Sequence, residues 1–162
     1  MKDVYYMTKY LVPVFLLFLC FFMPIQIYVI GDGIGAGIQG AFYRYQISSY
    51  GTSFIPLSQD LNYIISGTYL GRTAISIFIW IIADFVLVCA TILVLIKVQY
   101  FQDRKYKVIC LFMIVSGFLF LISAMIQYGL FLHSLTGISI PFGVPLLLLS
   151  GCYLYRVRSI VF

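Results

Sequence analysis

The residue best placed to do chemistry is Asp84, a carboxylate in the middle of an otherwise unbroken apolar run from Thr73 to Ile96. In a membrane helix, an acidic side chain at that position costs roughly 2.5 to 3.5 kcal/mol on insertion scales, so its presence needs a reason. Because no Lys, Arg or His lies at a matching depth, desolvation favours the protonated form. Three roles are open: a hydrogen-bonded acid inside the protein, a partner for a polar or basic residue of another chain, and a proton carrier in a transport path.

Helical periodicity places Asp84 on a mildly polar stripe. A second such stripe follows on the next apolar run, and a short turn between the runs makes antiparallel neighbours whose stripes meet. The first stripe consists of Thr73, Ser76, Trp80, Asp84, Leu87 and Thr91, and the second of Ser116, Phe120, Ser123 and Gln127. The candidate intramembrane polar site drawn from them is Asp84, Thr91, Ser116, Ser123 and Gln127.

Metal, haem and thiol chemistry find little support in the remaining residues. His133 is the only histidine, and a haem or metal would need further ligands at the same depth. The cysteines, Cys20, Cys89, Cys110 and Cys152, contain no C-x-x-C pair of the kind that four-span thiol oxidoreductases use. The chain also has no Glu. We expect no cofactor, no metal and no enzymatic activity.

A G-x-G-x-x-G pattern occurs at Gly35, Gly37 and Gly40. In nucleotide-binding proteins this pattern joins a buried strand to a helix within a βαβ unit. Here it follows an apolar run that is long enough to cross a membrane, so chain flexibility or close packing is the expected role.

The elements that must position these residues are membrane helices, because 63% of the 162 residues are hydrophobic and 9% are charged. Four stretches are long enough to cross a bilayer core of about 30 Å. They span about residues 10–30, 73–96, 108–132 and 138–155, and the outer loop is 31–72. We expect one membrane domain.

The basic residues predict the orientation of the spans. Eight of the ten lie before the first span, between the second and third, or after the fourth; only Arg44 and Arg72 lie on the other side. By the positive-inside rule, both termini are expected in the cytoplasm. The expected location of the protein is the plasma membrane. Since the cations abut span ends, a nucleic-acid partner is not expected.

The outer loop is where a binding surface is expected. Its glycine-rich start, 31–40, predicts an irregular hinge. The segments 42–47 and 53–55 predict a hairpin, and Ser58 is a candidate N-cap for a helix from Gln59 to Ile65 that ends at Gly67. The loop holds more aromatic residues than membrane anchoring needs. The candidate outer contact surface is Phe42, Tyr43, Arg44, Tyr45, Tyr50, Phe54, Tyr63 and Tyr69.

Together these patterns predict an all-α membrane protein, a four-transmembrane-helix bundle with a small extracellular cap. The layout resembles the tetraspan plan of claudin-type proteins in topology. The outer loop lacks the tryptophan and paired cysteines expected of that family, so neither junction formation nor pore lining is implied. The expected function is a non-enzymatic interaction or assembly subunit of a larger membrane complex, with the lipid bilayer and other membrane chains or further copies as partners. A proton-coupled transporter or channel component that uses Asp84 is the alternative, and a membrane redox enzyme the third possibility.

Overall fold

The structure, a computed structural model, describes residue 18, residues 22–97 and residues 103–161. Within these ranges it contains a six-stranded antiparallel sheet and four α-helices. The strands are β1 (Gln26–Ile30), β2 (Gly35–Gln39), β3 (Tyr43–Ser48), β4 (Gly51–Pro56), β5 (His133–Ser134) and β6 (Gly137–Ile140), in the spatial order β4-β3-β2-β1-β6-β5. The helices are α1 (Leu57–Ile65), α2 (Gly71–Lys97), α3 (Asp103–Tyr128) and α4 (Gly143–Val161), and a 3-10 turn covers Gly31–Gly33.

The sheet shows that the predicted all-α four-helix bundle is wrong, and that the fold combines helices with a sheet. Two of the predicted spans contain strands. The first, 10–30, ends in β1, while residues 10–17 and 19–21 lie outside the described residues. The fourth, 138–155, begins in β6, and α4 starts only at Gly143. Both strands are short segments beside long apolar runs, so averaged hydropathy hides them.

The third predicted span, 108–132, is also too long at its end. The helix α3 stops at Tyr128, where Gly129 takes a left-handed φ of 87° and Leu132 one of 59°. A left-handed residue directly after the last turn is a common helix stop. The chain then turns into β5, which lies between the third and fourth predicted spans and pairs with β6.

Two of the described helices are long and apolar enough to cross a membrane. Their apolar parts are Gly71–Leu95 in α2 and Lys107–Tyr128 in α3, each with a mean hydropathy of 2.7. The apolar part of α4, Gly143–Tyr153, is shorter. These features weakly indicate association with a membrane.

The predicted hairpin is present as β3 and β4, and its register pairs Tyr45 with Phe54. The following helix α1 ends as predicted, before Gly67 with a left-handed φ of 72°. Its predicted N-cap is wrong, because Pro56 and not Ser58 occupies that position. The predicted hinge is also wrong in part, since residues 35–39 form the regular strand β2.

The helices α2 and α3 pack against each other along their length and meet the sheet at one end. Trp80 on α2 contacts Phe120 on α3, with ring centroids 4.6 Å apart, and its Nε1 donates to the Ala41 carbonyl, 3.3 Å away, in the turn between β2 and β3. At the same level the Gly143 amide, at the start of α4, donates to the Ile25 carbonyl at 2.8 Å. These bonds fix one end of the sheet, at Ile25 and Ala41, on the helices; we call this end the base of the sheet.

Candidate functional site

The two faces of the sheet differ in chemistry. Side chains alternate along each strand, so one face turns toward α2 and α3 and the other away from them. The inward face carries most of the polar residues, whereas the outward face carries aliphatic and aromatic ones. The inward residues include Gln26, Tyr28, Gln39, Arg44, Gln46, Ser53 and Ser139, which share a face by the strand registers.

A buried amide and hydroxyl network crosses the inward face at its centre. Gln26 Nε2 donates to Gln39 Oε1 at 2.8 Å, and Ser139 Oγ donates to Gln26 Oε1 at 3.0 Å. All three residues are buried. Because buried polar groups are costly unless they are paired, this network favours the observed order of β2, β1 and β6.

A second polar cluster joins β3 to α1. Arg44 Nη2 donates to Asp60 Oδ1 and, at 2.9 Å, to Tyr69 Oη. Burial raises the pKa of the Asp60 carboxyl, although Arg44 opposes the shift. Burial alone lowers the pKa of Arg44, but Asp60, Tyr69 and Tyr28 together raise it above its ordinary value. The guanidinium therefore stays charged, and its role here is to join β3 to α1 and to Tyr69.

Tyr28 lies in the middle of the inward face. Its hydroxyl donates to Gln46 Oε1 at 3.3 Å, and its ring lies 6.3 Å from that of Tyr128 at the end of α3. Burial raises the pKa of Tyr28 to about 12. The phenol is neutral at physiological pH and serves as a packing and hydrogen-bonding group.

The outward face is apolar, and most of its large side chains are exposed. Across the registers, Ile27 pairs with Ile38 and Ile140, Ile38 pairs with Tyr45, and Tyr45 pairs with Phe54. None of the outward positions of the six strands is Lys, Arg, Asp or Glu, and His133 lies at the margin opposite Ile138. We call this surface the outward face; its large apolar residues are Ile27, Val29, Ile38, Tyr45, Ile47, Phe54, Ile138 and Ile140.

The size of the outward face distinguishes it from ordinary scattered surface residues. Apart from Ile38, its large side chains are each between 37% and 61% exposed. Together they form a contiguous apolar patch of several hundred Å², the size at which a patch on a monomer is often functional. A patch of this size indicates an interaction surface.

The aromatic residues that the sequence nominated as an outer contact surface do not form one surface. Tyr45 and Phe54 lie on the outward face, and Tyr43 stacks on Phe54 at 5.9 Å. Tyr50 is exposed at the β3–β4 turn. Arg44 lies on the opposite face, Phe42 packs on the core, and Tyr63 packs edge-on against Tyr69 beside the Arg44 cluster.

The two polar stripes of α2 and α3 meet in the structure. Ser76 Oγ donates to the Ser123 carbonyl at 3.0 Å, and Ser123 Oγ donates to the Ser76 carbonyl at 2.7 Å. Ser116 Oγ donates to the Ala83 carbonyl at 3.0 Å. These bonds tie the helices together at two levels.

Asp84 lies inside this helix pair, one turn beyond Trp80 and so about 6 Å from the base of the sheet. Its side chain is 2% exposed, and no described residue donates to either carboxyl oxygen. Thr91 bonds within its own helix, to the Leu87 carbonyl at 2.9 Å. Gln127 lies near the sheet, where its carbonyl accepts from Thr136 Oγ1 at 3.1 Å. The predicted site residues are therefore spread along the helix pair and do not converge.

Metal ligands do not cluster in the described part of the chain, where no group of three or more His, Cys, Asp or Glu residues lies together. His133 borders an open depression of about 580 Å³, whose lining includes Val29, Gly31 and Leu135. Cys89 and Cys152 carry free thiols. No protein-family model matches the chain, and the comparison with curated proteins also finds no match.

Sequence reasoning missed most of the outward face, because β1, β2 and β6 were assigned to spans or to a hinge. The sequence nevertheless contains a pattern that predicts β1 and β6. In residues 26–30, Gln26 and Tyr28 alternate with Ile27 and Val29, and in 137–140 Ser139 lies between two isoleucines. This period of two is typical of strands with one polar and one apolar face.

Proposed function

We propose that this protein is a non-enzymatic interaction subunit held in a membrane by its helices, which binds a protein partner on the outward face of its sheet. The observation that carries the proposal is the inverted polarity of the sheet. Its polar residues face the protein interior, while its apolar residues face away from the helices. A sheet exposed to water on its outer side normally has the opposite pattern.

Helix dimensions support the membrane part of the proposal. From Trp80 to the end of α2, and from the start of α3 to Phe120, each helix runs about 26 Å beyond the base of the sheet, close to the roughly 30 Å of a bilayer core. Exposed residues along these segments are large and apolar, such as Phe85, Leu95, Leu111 and Phe118. Lys97, Arg104, Lys105 and Lys107 near the far helix ends favour a cytoplasmic location for that end, with the sheet outside the cell.

The alternative proposal, a proton-coupled transporter or channel component, rests on the unpartnered Asp84 carboxyl. The burial of that carboxyl within its own chain weakens the case, since a conducted proton needs polar relays on both sides. The same burial also weakens the hypothesis that Asp84 contacts a residue of another chain. We therefore place the function on the sheet.

Cysteine accessibility in native membranes tests the proposal. Ile47→Cys places a thiol on the outward face, and Tyr50→Cys places one at the adjoining turn, where Tyr50 is 93% exposed. If a partner covers the face, a maleimide reagent should label Ile47→Cys about tenfold more slowly than Tyr50→Cys, after correction for the native cysteines. Equal labelling of the two variants would contradict an occupied outward face.

A further inference from the structure

We propose that the occupant of the outward face is a second copy of this chain, packed face to face about a two-fold axis. This inference rests on the proposed function, because it names the partner of the same surface. In such an arrangement the same patch is contributed by both copies, so the patch must complement itself.

The charge pattern favours self-association. The outward positions of the strands contain no Lys, Arg, Asp or Glu, so a symmetric pair brings no like charges together. A partner of opposite charge would find nothing on this face to pair with. A lipid surface is also disfavoured, because proteins that lie on bilayers carry Lys and Arg around the apolar area, and the strands place none there.

The side-chain types favour packing against another sheet. Ile27, Val29, Ile47, Ile138 and Ile140 are β-branched and rigid, and such surfaces interdigitate well when two sheets pack about 10 Å apart. Tyr45, Phe54 and Tyr43 form an aromatic region toward β4.

The area fits a stable dimer. Each copy offers several hundred Å² of surface from these exposed side chains, the same order as the about 800 Å² per partner that a standard-size interface buries. The strands β1 and β2 lie at the centre of the sheet. If the two-fold axis passes near them, each copy covers the outward face of the other from β4 to β6.

The test measures the oligomeric state of the full-length protein in phosphatidylcholine bilayers by single-molecule photobleaching, over a range of protein-to-lipid ratios. Ile27→Lys is the test variant, because Ile27 is central and 40% exposed, so a lysine there reaches solvent in a single copy. Ile65→Lys is the matched control, since Ile65 is 81% exposed at the end of α1 and off the face. Ile140→Lys repeats the test from β6 if the first variant folds poorly.

The expected result is a wild-type dimer that Ile27→Lys and Ile140→Lys weaken on the order of 100-fold, while Ile65→Lys stays within about threefold of wild type. A dimer that both face variants leave intact would overturn the proposal. So would a wild type that is monomeric at every ratio. If the wild type is monomeric but Ile47→Cys is labelled slowly in native membranes, the proposed function stands with a different partner. If the wild type is monomeric and Ile47→Cys is labelled as fast as Tyr50→Cys, both proposals are wrong.

Discussion

Arg44 and Asp60 form a buried ion pair that joins β3 to α1, with side chains that are 16% and 4% exposed. The two residues are 16 positions apart in the chain, and Tyr69 accepts a further bond from the same guanidinium nitrogen. The pair and Tyr69 therefore connect three consecutive parts of the chain: the β3–β4 hairpin, α1 and the segment that leads into α2.

Removing the arginine alone should destabilise the protein. Arg44→Met leaves the Asp60 carboxyl buried without its partner, and we expect the free energy of unfolding to fall by about 3 kcal/mol. The double variant Arg44→Met/Asp60→Leu should recover at least half of that loss, because no uncompensated charge remains. Chemical denaturation in detergent measures both values. Arg72→Met, at an exposed arginine, is the control, and a loss there as large as at Arg44 would show that the effect is not specific to the pair.

The Arg44–Asp60 pair also shows which parts of the fold can be predicted from the sequence alone. The β3–β4 hairpin was predictable because its alternation and its turn are local. The inward orientation of Arg44 depends on strand register, and a charged residue in an outer loop otherwise suggests solvent. The strands β1 and β6 were harder still, because their contact joins residues that are 113 positions apart, as for Gln26 and Ser139. Local hydropathy carries no information on such a pairing.

Alkaline pH should destabilise the protein through Tyr28. A phenol whose pKa is about 12 in the folded state keeps its proton after the unfolded chain, with a value of 10, has lost it. The stability that depends on Tyr28 is therefore complete below pH 10 and is lost as the pH rises from 10 to about 12, by up to about 3 kcal/mol. The free energy of unfolding, measured at pH 9 and pH 11, should fall less in Tyr28→Phe than in wild type. Tyr50→Phe, at an exposed tyrosine, should follow the wild-type curve; identical curves for all three proteins would refute this assignment.

The pairing of β1 with β6 should not tolerate a side chain at Gly137. This glycine has a φ of 134°, and a Cβ there would collide with the Val29 carbonyl. We expect Gly137→Ala to cost more than about 3 kcal/mol, since backbone strain and a steric clash add. Gly33→Ala is the comparison: its φ of 73° is near the left-handed region that other residues can adopt and the space around it is open, so about 1 kcal/mol is expected. Thermal unfolding measures both variants, and equal losses would contradict the larger cost expected at Gly137.

The carboxyl of Asp84 should be dispensable for folding, in contrast to the serine pair on the same two helices. Asp84→Asn breaks no hydrogen bond made by a described residue, so the free energy of unfolding should stay within about 1 kcal/mol of wild type. Ser123→Ala removes one donor to the Ser76 carbonyl and should cost about 1 to 2 kcal/mol, because that carbonyl then lies buried without this donor. The same Asp84→Asn protein, placed in liposomes under a pH gradient, separates the two functional proposals. Unchanged proton flux and unchanged self-association would support a function on the sheet. Loss of a proton flux that the wild type shows would instead support a function at Asp84.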